Sequence, residues 1–147
     1  MRHHLAVLHR LHLNEILSGR KTVECRLGQI GYLPYGCVQG GDLIWLKEAS
    51  GPVQAVASAA AVQTLQPLTP DLLDWVRRQF NDRIRAPAGF WHNGRRATAA
   101  TLVWLEDVCP LRPFQVAKHD RRAWVPLAQP PVPGKPIAAE ASPKRST

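Results

Sequence analysis

A chain of 147 residues with 45% hydrophobic and 20% charged side chains has room for one globular domain, large enough to fold without metal or disulfide support. No apolar run nears the roughly 18 residues that span a bilayer, which sets aside a membrane helix. The net charge of +8 lies in the second half: residues 1–74 hold six basic and six acidic groups, residues 75–147 thirteen and five, and such a one-sided field attracts polyanions, nucleic acid foremost.

Leu5–Leu8 is short and apolar and reads as a first strand. Leu13, Ile16 and Leu17 then recur at the i, i+3, i+4 spacing of a short helix, and Gly19 stands where a terminating glycine belongs. From Val23 the period switches to two. Val23, Cys25 and Leu27 are expected to face the core, and Thr22, Glu24 and Arg26 to look outward, at solvent or at the short helix. Gly28–Gly41, rich in glycine and aromatics and containing Pro34, reads as a structured loop. Leu43–Leu46 follows Gly41-Asp42, and Ser50-Gly51-Pro52 turns it into Val53–Val62, giving a β-hairpin. Ala55–Ala61 has helical propensity, yet its place after a turn and its shortness favour strand.

Thr69 is a good N-cap, Pro70 suits the first helical position, and Asp71 and Asp74 suit the positive end of the dipole. Leu73, Val76, Phe80 and Ile84 form the buried stripe of this second helix; Arg77, Arg78 and Arg85 lie off it, and Pro87 and Gly89 end it. After the polar stretch His92–Arg96, Thr98–Val108 reads as a long strand and Ala123–Val125 as a last short one. From Gln129 onward prolines mix with Ala, Ser and Lys without apolar period, so residues 129–147 are expected to be a disordered basic tail to a domain at 1–128. The order predicts an α+β fold, a small mixed β-barrel of about five or six strands with two flanking helices.

Gly19, Lys21, Glu24 and Arg26 fill all four fixed places of the pattern G-x-K-x-x-E-x-R. With the short helix before it and the strand after it, this segment resembles the signature of the ASCH family, and the resemblance extends over about residues 5–127. Independently of any family, Gly19 frees the backbone to leave the helix, and Glu24 and Arg26 lie about 6.6 Å apart on one strand face. A carboxylate beside a guanidinium offers an acceptor and a planar donor fork, which suits a base edge or a phosphate. The resemblance implies a PUA-like barrel and a ligand cleft beside the first helix, lined by Gly19, Arg20, Lys21, Glu24 and Arg26. It also implies an alternative. Some small ASCH-like proteins share Gly-Arg-Lys-Thr and hydrolyse an amide on acetylated cytidine, using the lysine, a threonine three residues on and a glutamate. Here that position is Glu24, so an enzyme would have to work with Lys21 and Glu24, on a modified nucleoside or as a ribonuclease.

Other residues admit two readings. Phe90, Trp91 and His92 sit among Arg85, Arg95 and Arg96, an arrangement that stacks single-stranded bases; equally, Trp91 packs under a loop. Lys118, Arg121 and Arg122 form either a phosphate-contacting loop or a solvated turn. With Arg77, Arg78, Arg95 and Arg96 they are the candidates for a nucleic-acid backbone. His3, His4, His9 and His12 have no cysteine at ligand spacing, so no metal is expected, and no cofactor loop is present. Three cysteines without framework spacing and an opening segment without a long apolar run fit a reduced, cytoplasmic protein. The expected partners are RNA, other single-stranded nucleic acid or a modified nucleoside, and no membrane.

Overall fold

The computed structural model describes residues 1–141. Its elements are β1 (His3–Leu8), α1 (Arg10–Leu17), β2 (Val23–Gly28), β3 (Leu43–Glu48), β4 (Val53–Leu65), α2 (Pro70–Ile84), α3 (Ala88–Asn93), β5 (Ala99–Phe114) and β6 (Trp124–Leu127). The six strands make one sheet in the order β2-β5-β4-β3-β1-β6. Only the β1–β3 pair is parallel; the other ladders are antiparallel. Among the described residues no helix is long and apolar enough to cross a membrane.

The sheet curls because its two longest strands do not pair evenly. The β4–β5 register shifts at Val53/Ala55, Val56/Ser58 and Ala59/Ala61, and each irregularity bends the strand and increases its twist. The result is an open half-barrel with β2 and β6 as its outermost strands. Ala55, Ala57 and Ala59 are buried while their neighbours Gln54, Val56 and Ser58 are only half-buried. This alternation makes the alanine-rich stretch a strand despite its helical propensity: small side chains on one face let α1 approach, with Leu13 and Ile16 in the same cluster. On the other face Val23, Cys25 and Leu102 pack with Leu73, Val76 and Ile84 of α2.

The helix signals act as read. Thr69 Oγ1 accepts from the Leu72 N–H at 3.2 Å, and Arg85 closes α2 in the left-handed region at φ 62°. Asn81 stabilises that exit by accepting from the Ala86 N–H at 2.9 Å. Three features differ from expectation. A third helix, α3, follows Pro87, because a proline that stops one helix suits the start of the next. Strands β4 and β5 run past Val62 and Val108, since each is the other's partner along most of its length.

The third difference concerns the chain after Gln129. Over 129–141 the expected structureless tail is replaced by a segment laid along the edge of β6. Ala128 N–H donates to Ala138 O at 2.7 Å and Glu140 N–H to Pro126 O at 2.8 Å, and Ile137 packs against the Leu5–Val125 cluster. An edge strand leaves backbone groups unpaired, and this return satisfies them without requiring an apolar period. The remainder of that expectation falls on 142–147, outside the described residues. Ending the chain at Gln129 is therefore expected to cost about 2 kcal/mol, from lost burial and backbone pairing. Urea denaturation of the shortened chain checks this, and an unchanged midpoint contradicts the docking.

Candidate functional site

The turn from α1 into β2 is fixed before its side chains are considered. Gly19, at φ 82°, lets the chain leave α1, Lys21 N–H donates to Glu15 O and Thr22 N–H to Arg83 O, each at 3.0 Å. The turn is thus strapped to both helices. Lys21 points inward: it is 3% exposed, and its ammonium donates to Val23 O at 3.1 Å and Ile84 O at 2.7 Å. Ile84 is the last residue of α2, whose terminal carbonyls carry partial negative charge and favour a cation.

Of the two outlooks expected for the Glu24 face, solvent or the short helix, the structure has the second, and the side chain is buried there. Glu24 stands opposite Val103 in the β2–β5 ladder and Cys25 opposite Leu102. Directly opposed residues share a face, and Val103 belongs to the interior cluster beneath α1. Glu24 and Arg26 therefore look into the mouth of the half-barrel, and Glu24 is 7% exposed. Its Oε1 lies 3.7 Å from Lys21 Nζ and 3.7 Å from Arg26 Nε. Its Oε2 is buried with no hydrogen-bond partner among the described residues.

Arg26 crosses the gap between the two edges of the sheet. From β2 it donates to Val7 O on β1 at 3.1 Å, and its guanidinium lies 5.5 Å from the Trp124 ring on β6. Two cavities flank this crossing. The smaller, about 230 Å³, is lined by Lys21, Glu24, Arg26, His9, His12 and Phe90, with Val7 and Ile84 nearby. The larger, about 670 Å³, is lined by Arg26, Arg2, Tyr32, Tyr35, Arg122 and Trp124 together with the loop 31–37 and Glu140.

The titrating groups have distinct physical causes. Burial, with Glu24 adding to it, pushes the Cys25 thiol up to about 12, so this residue carries no thiolate for chemistry. Burial, with Lys21 adding to it, holds His12 below the ordinary histidine value. A neutral imidazole thus borders the Lys21–Glu24 pair. His9 is occupied by its role at the start of α1, where Nδ1 accepts from Leu11 N–H at 3.3 Å.

No family model matches the sequence and no curated protein matches it. Among solved structures, the ASCH protein from Zymomonas mobilis superposes with a TM-score of 0.60 at 19% identity, covering 76% of this chain and 71% of that one. A serine-to-alanine variant of it gives 0.62 at 18% identity over 76% and 72% of the two chains. A tyrosine-to-phenylalanine variant gives 0.62 at 19% over 78% and 76%. This chain has an ASCH-like fold. The α+β fold with about six strands expected from the sequence is what the chain builds, but as an open half-barrel in place of a closed barrel and with three helices in place of two.

Within this ASCH-like barrel, Lys21, Glu24 and Arg26 converge on one hollow. Gly19 and Arg20 line neither cavity: Gly19 is exposed at the end of α1, and Arg20 turns back to Glu15, with Nε 3.2 Å from Oε2. Of the seven backbone candidates, Arg122 alone lines either of these two cavities. Arg77 and Arg78 extend from α2 and pair with Asp74, at 4.0 and 3.0 Å. Arg95 and Arg96 are exposed just past α3, Lys118 donates to Asp120 O, and Arg121 is exposed. Trp91 is buried against α2, which resolves its two readings in favour of packing. His12, Phe90, Tyr32, Tyr35 and Trp124 are cavity residues that the sequence reading did not place there. Only Phe90, among its arginines, carried a local signal.

Proposed function

We propose that this chain binds single-stranded RNA, with one nucleobase entering the smaller cavity. The observation that carries the reading is the buried, unpartnered Oε2 of Glu24. Leaving such a group unsatisfied costs free energy, and a ligand N–H restores the missing bond. Every nucleobase presents a ring or exocyclic N–H beside an acceptor, and Lys21 and Arg26 flank Glu24 as donors to that acceptor. The volume of about 230 Å³ falls below the roughly 300–1,000 Å³ of pockets for whole drug-sized ligands. It suits a base better than a complete nucleotide.

Fluorescence anisotropy with labelled single-stranded RNA tests this. Lys21→Ala is expected to weaken binding tenfold or more, since a hydrogen bond to a charged group is worth about 1.5–3 kcal/mol. Log affinity is expected to fall with log salt by about 0.7 per phosphate contacted. Exposed Arg95, Arg96 and Arg121 are the contacts without an acidic partner among the described residues. Binding that ignores both salt and Lys21 overturns the proposal.

A second reading is favoured by the same pair: a lysine ammonium 3.7 Å from a carboxylate, bordered by neutral His12, is a set of groups for acid–base chemistry. Thr22 is no substitute nucleophile, because it is not among the residues lining the smaller cavity. Turnover of acetylated cytidine or of labelled RNA, abolished by Lys21→Ala, favours the hydrolase; binding without turnover favours the binding module.

A further inference from the structure

We infer that the larger cavity is a second nucleotide subsite, so that the protein takes a single strand at least two nucleotides long across the seam of its half-barrel. This extends the reading of the smaller cavity as a base site. Arg26 lines both cavities, so a strand with one base against Glu24 has the neighbouring nucleotide on the far side of that guanidinium. The second hollow, about 670 Å³, lies within the range that encloses a nucleotide-sized ligand.

Its chemistry fits a stacked base better than a cluster of phosphates. Each of its three arginines already has a carboxylate: Arg2 lies 3.8 Å from Glu140, Arg26 3.7 Å from Glu24, and Arg122 2.5 Å from Asp120. With these charges balanced, the cavity offers no concentrated positive field. What it does offer is aromatic faces and a guanidinium plane, which stack bases of any identity. Tyr32 is 65% exposed at the rim, a position that core packing does not explain. The Arg2–Glu140 pair is long and partly exposed, so Arg2, which also donates to Cys37 O at 3.4 Å, can exchange that carboxylate for the single linking phosphate.

The deep wall is held rigidly. Trp124 Nε1–H donates to His4 Nδ1 at 3.1 Å, and His4 Nε2 hydrogen-bonds Asp42 at 2.9 Å. His4 is 0% and Asp42 4% exposed. This buried relay fixes the orientation of the indole, which in turn carries the Arg26 guanidinium. A platform set in advance lowers the ordering cost of binding.

The test titrates ribonucleoside 5′-monophosphates and oligoribonucleotides of increasing length against the full chain by calorimetry. Affinity is expected to rise about tenfold or more from one residue to two, the gain of one stacked base. Tyr32→Ala, a substitution at an exposed position, is expected to remove most of that gain and to lower mononucleotide affinity by less. Glu140→Gln frees Arg2 and is expected to strengthen dinucleotide binding. Mononucleotide binding with no gain on lengthening, or a Tyr32→Ala loss equal for both ligands, overturns the second subsite alone. Failure of both ligands to bind overturns the base site, and this extension with it.

Discussion

Asp42→Ala is expected to lower the unfolding free energy by about 3–5 kcal/mol, because hydrogen bonds to a charged acceptor are worth about 1.5–3 kcal/mol each and are not fully additive. The carboxylate accepts from Arg2 N–H at 3.0 Å, Gln39 N–H at 2.9 Å and His4 Nε2 at 2.9 Å. Removing it strands a buried imidazole N–H. The relay also fixes protonation. Trp124 Nε1 can only donate, so His4 Nδ1 accepts and Nε2 holds the proton that faces Asp42. A second proton on His4 would set N–H against N–H.

Acid sensitivity follows from the same groups. Burial holds His4 below its ordinary value, against the opposing pull of Asp42. For Asp42, burial raises the carboxyl, but its hydrogen bonds from Arg2, His4 and Gln39 outweigh that and bring it below its ordinary value. In both cases the unfolded chain binds its proton first as pH falls. Stability is therefore full above the ordinary histidine value, about 6.5, and is lost as pH falls through the lowered folded value; the Asp42 contribution is lost below about 4. Urea unfolding between pH 7 and 5 is expected to show a falling midpoint. His4→Gln, which keeps a donor and an acceptor, is expected to make that fall shallower, with His12 supplying the remainder. An unchanged pH slope contradicts the assignment.

Glu24→Ala is expected to destabilise the fold by a comparable amount, about 3–5 kcal/mol, the usual cost of breaking a buried ion pair on one side. Lys21, with a side chain 2% exposed, would lose its buried carboxylate partner. RNA binding is expected to disappear with it. Stability and recognition can be separated by replacing both partners, Lys21→Met with Glu24→Leu. Apolar groups of similar size often restore what a lone charge loses, so the double variant is expected to recover part of the lost stability, Arg26 and the Val23 and Ile84 carbonyls still lacking their partners, while remaining unable to bind. Recovery of both would contradict a recognition role for the pair; urea midpoints and anisotropy on the same samples decide it.

Alternation along β2 was legible, and it correctly separated Val23 and Cys25 from Glu24 and Arg26. What alternation cannot tell is what covers the second face. That depends on pairing with Val103, almost 80 residues away, and on bulges in β4 and β5 that curl the sheet. The four-residue pattern did locate the side chains that converge, since Lys21, Glu24 and Arg26 sit on one turn and one strand. Gly19 and Arg20 belong to the same pattern but serve its geometry: one ends α1, and the other pairs with Glu15. Of the larger cavity the sequence marked Arg26 and Arg122 alone, because Arg2, Tyr32, Trp124 and Glu140 meet only when the two sheet edges approach. The return of residues 129–141 along β6 was equally hidden, since backbone pairing of an edge needs no apolar period.

The central claim, that the hollow around Lys21, Glu24 and Arg26 receives a base, is tested most directly by amide chemical shifts during titration with a short single-stranded oligoribonucleotide. The claim predicts saturable shifts at Val7, His12, Lys21, Glu24 and Arg26. Shifts confined to the exposed Arg77–Arg78 face of α2, with those five amides unmoved, would contradict it.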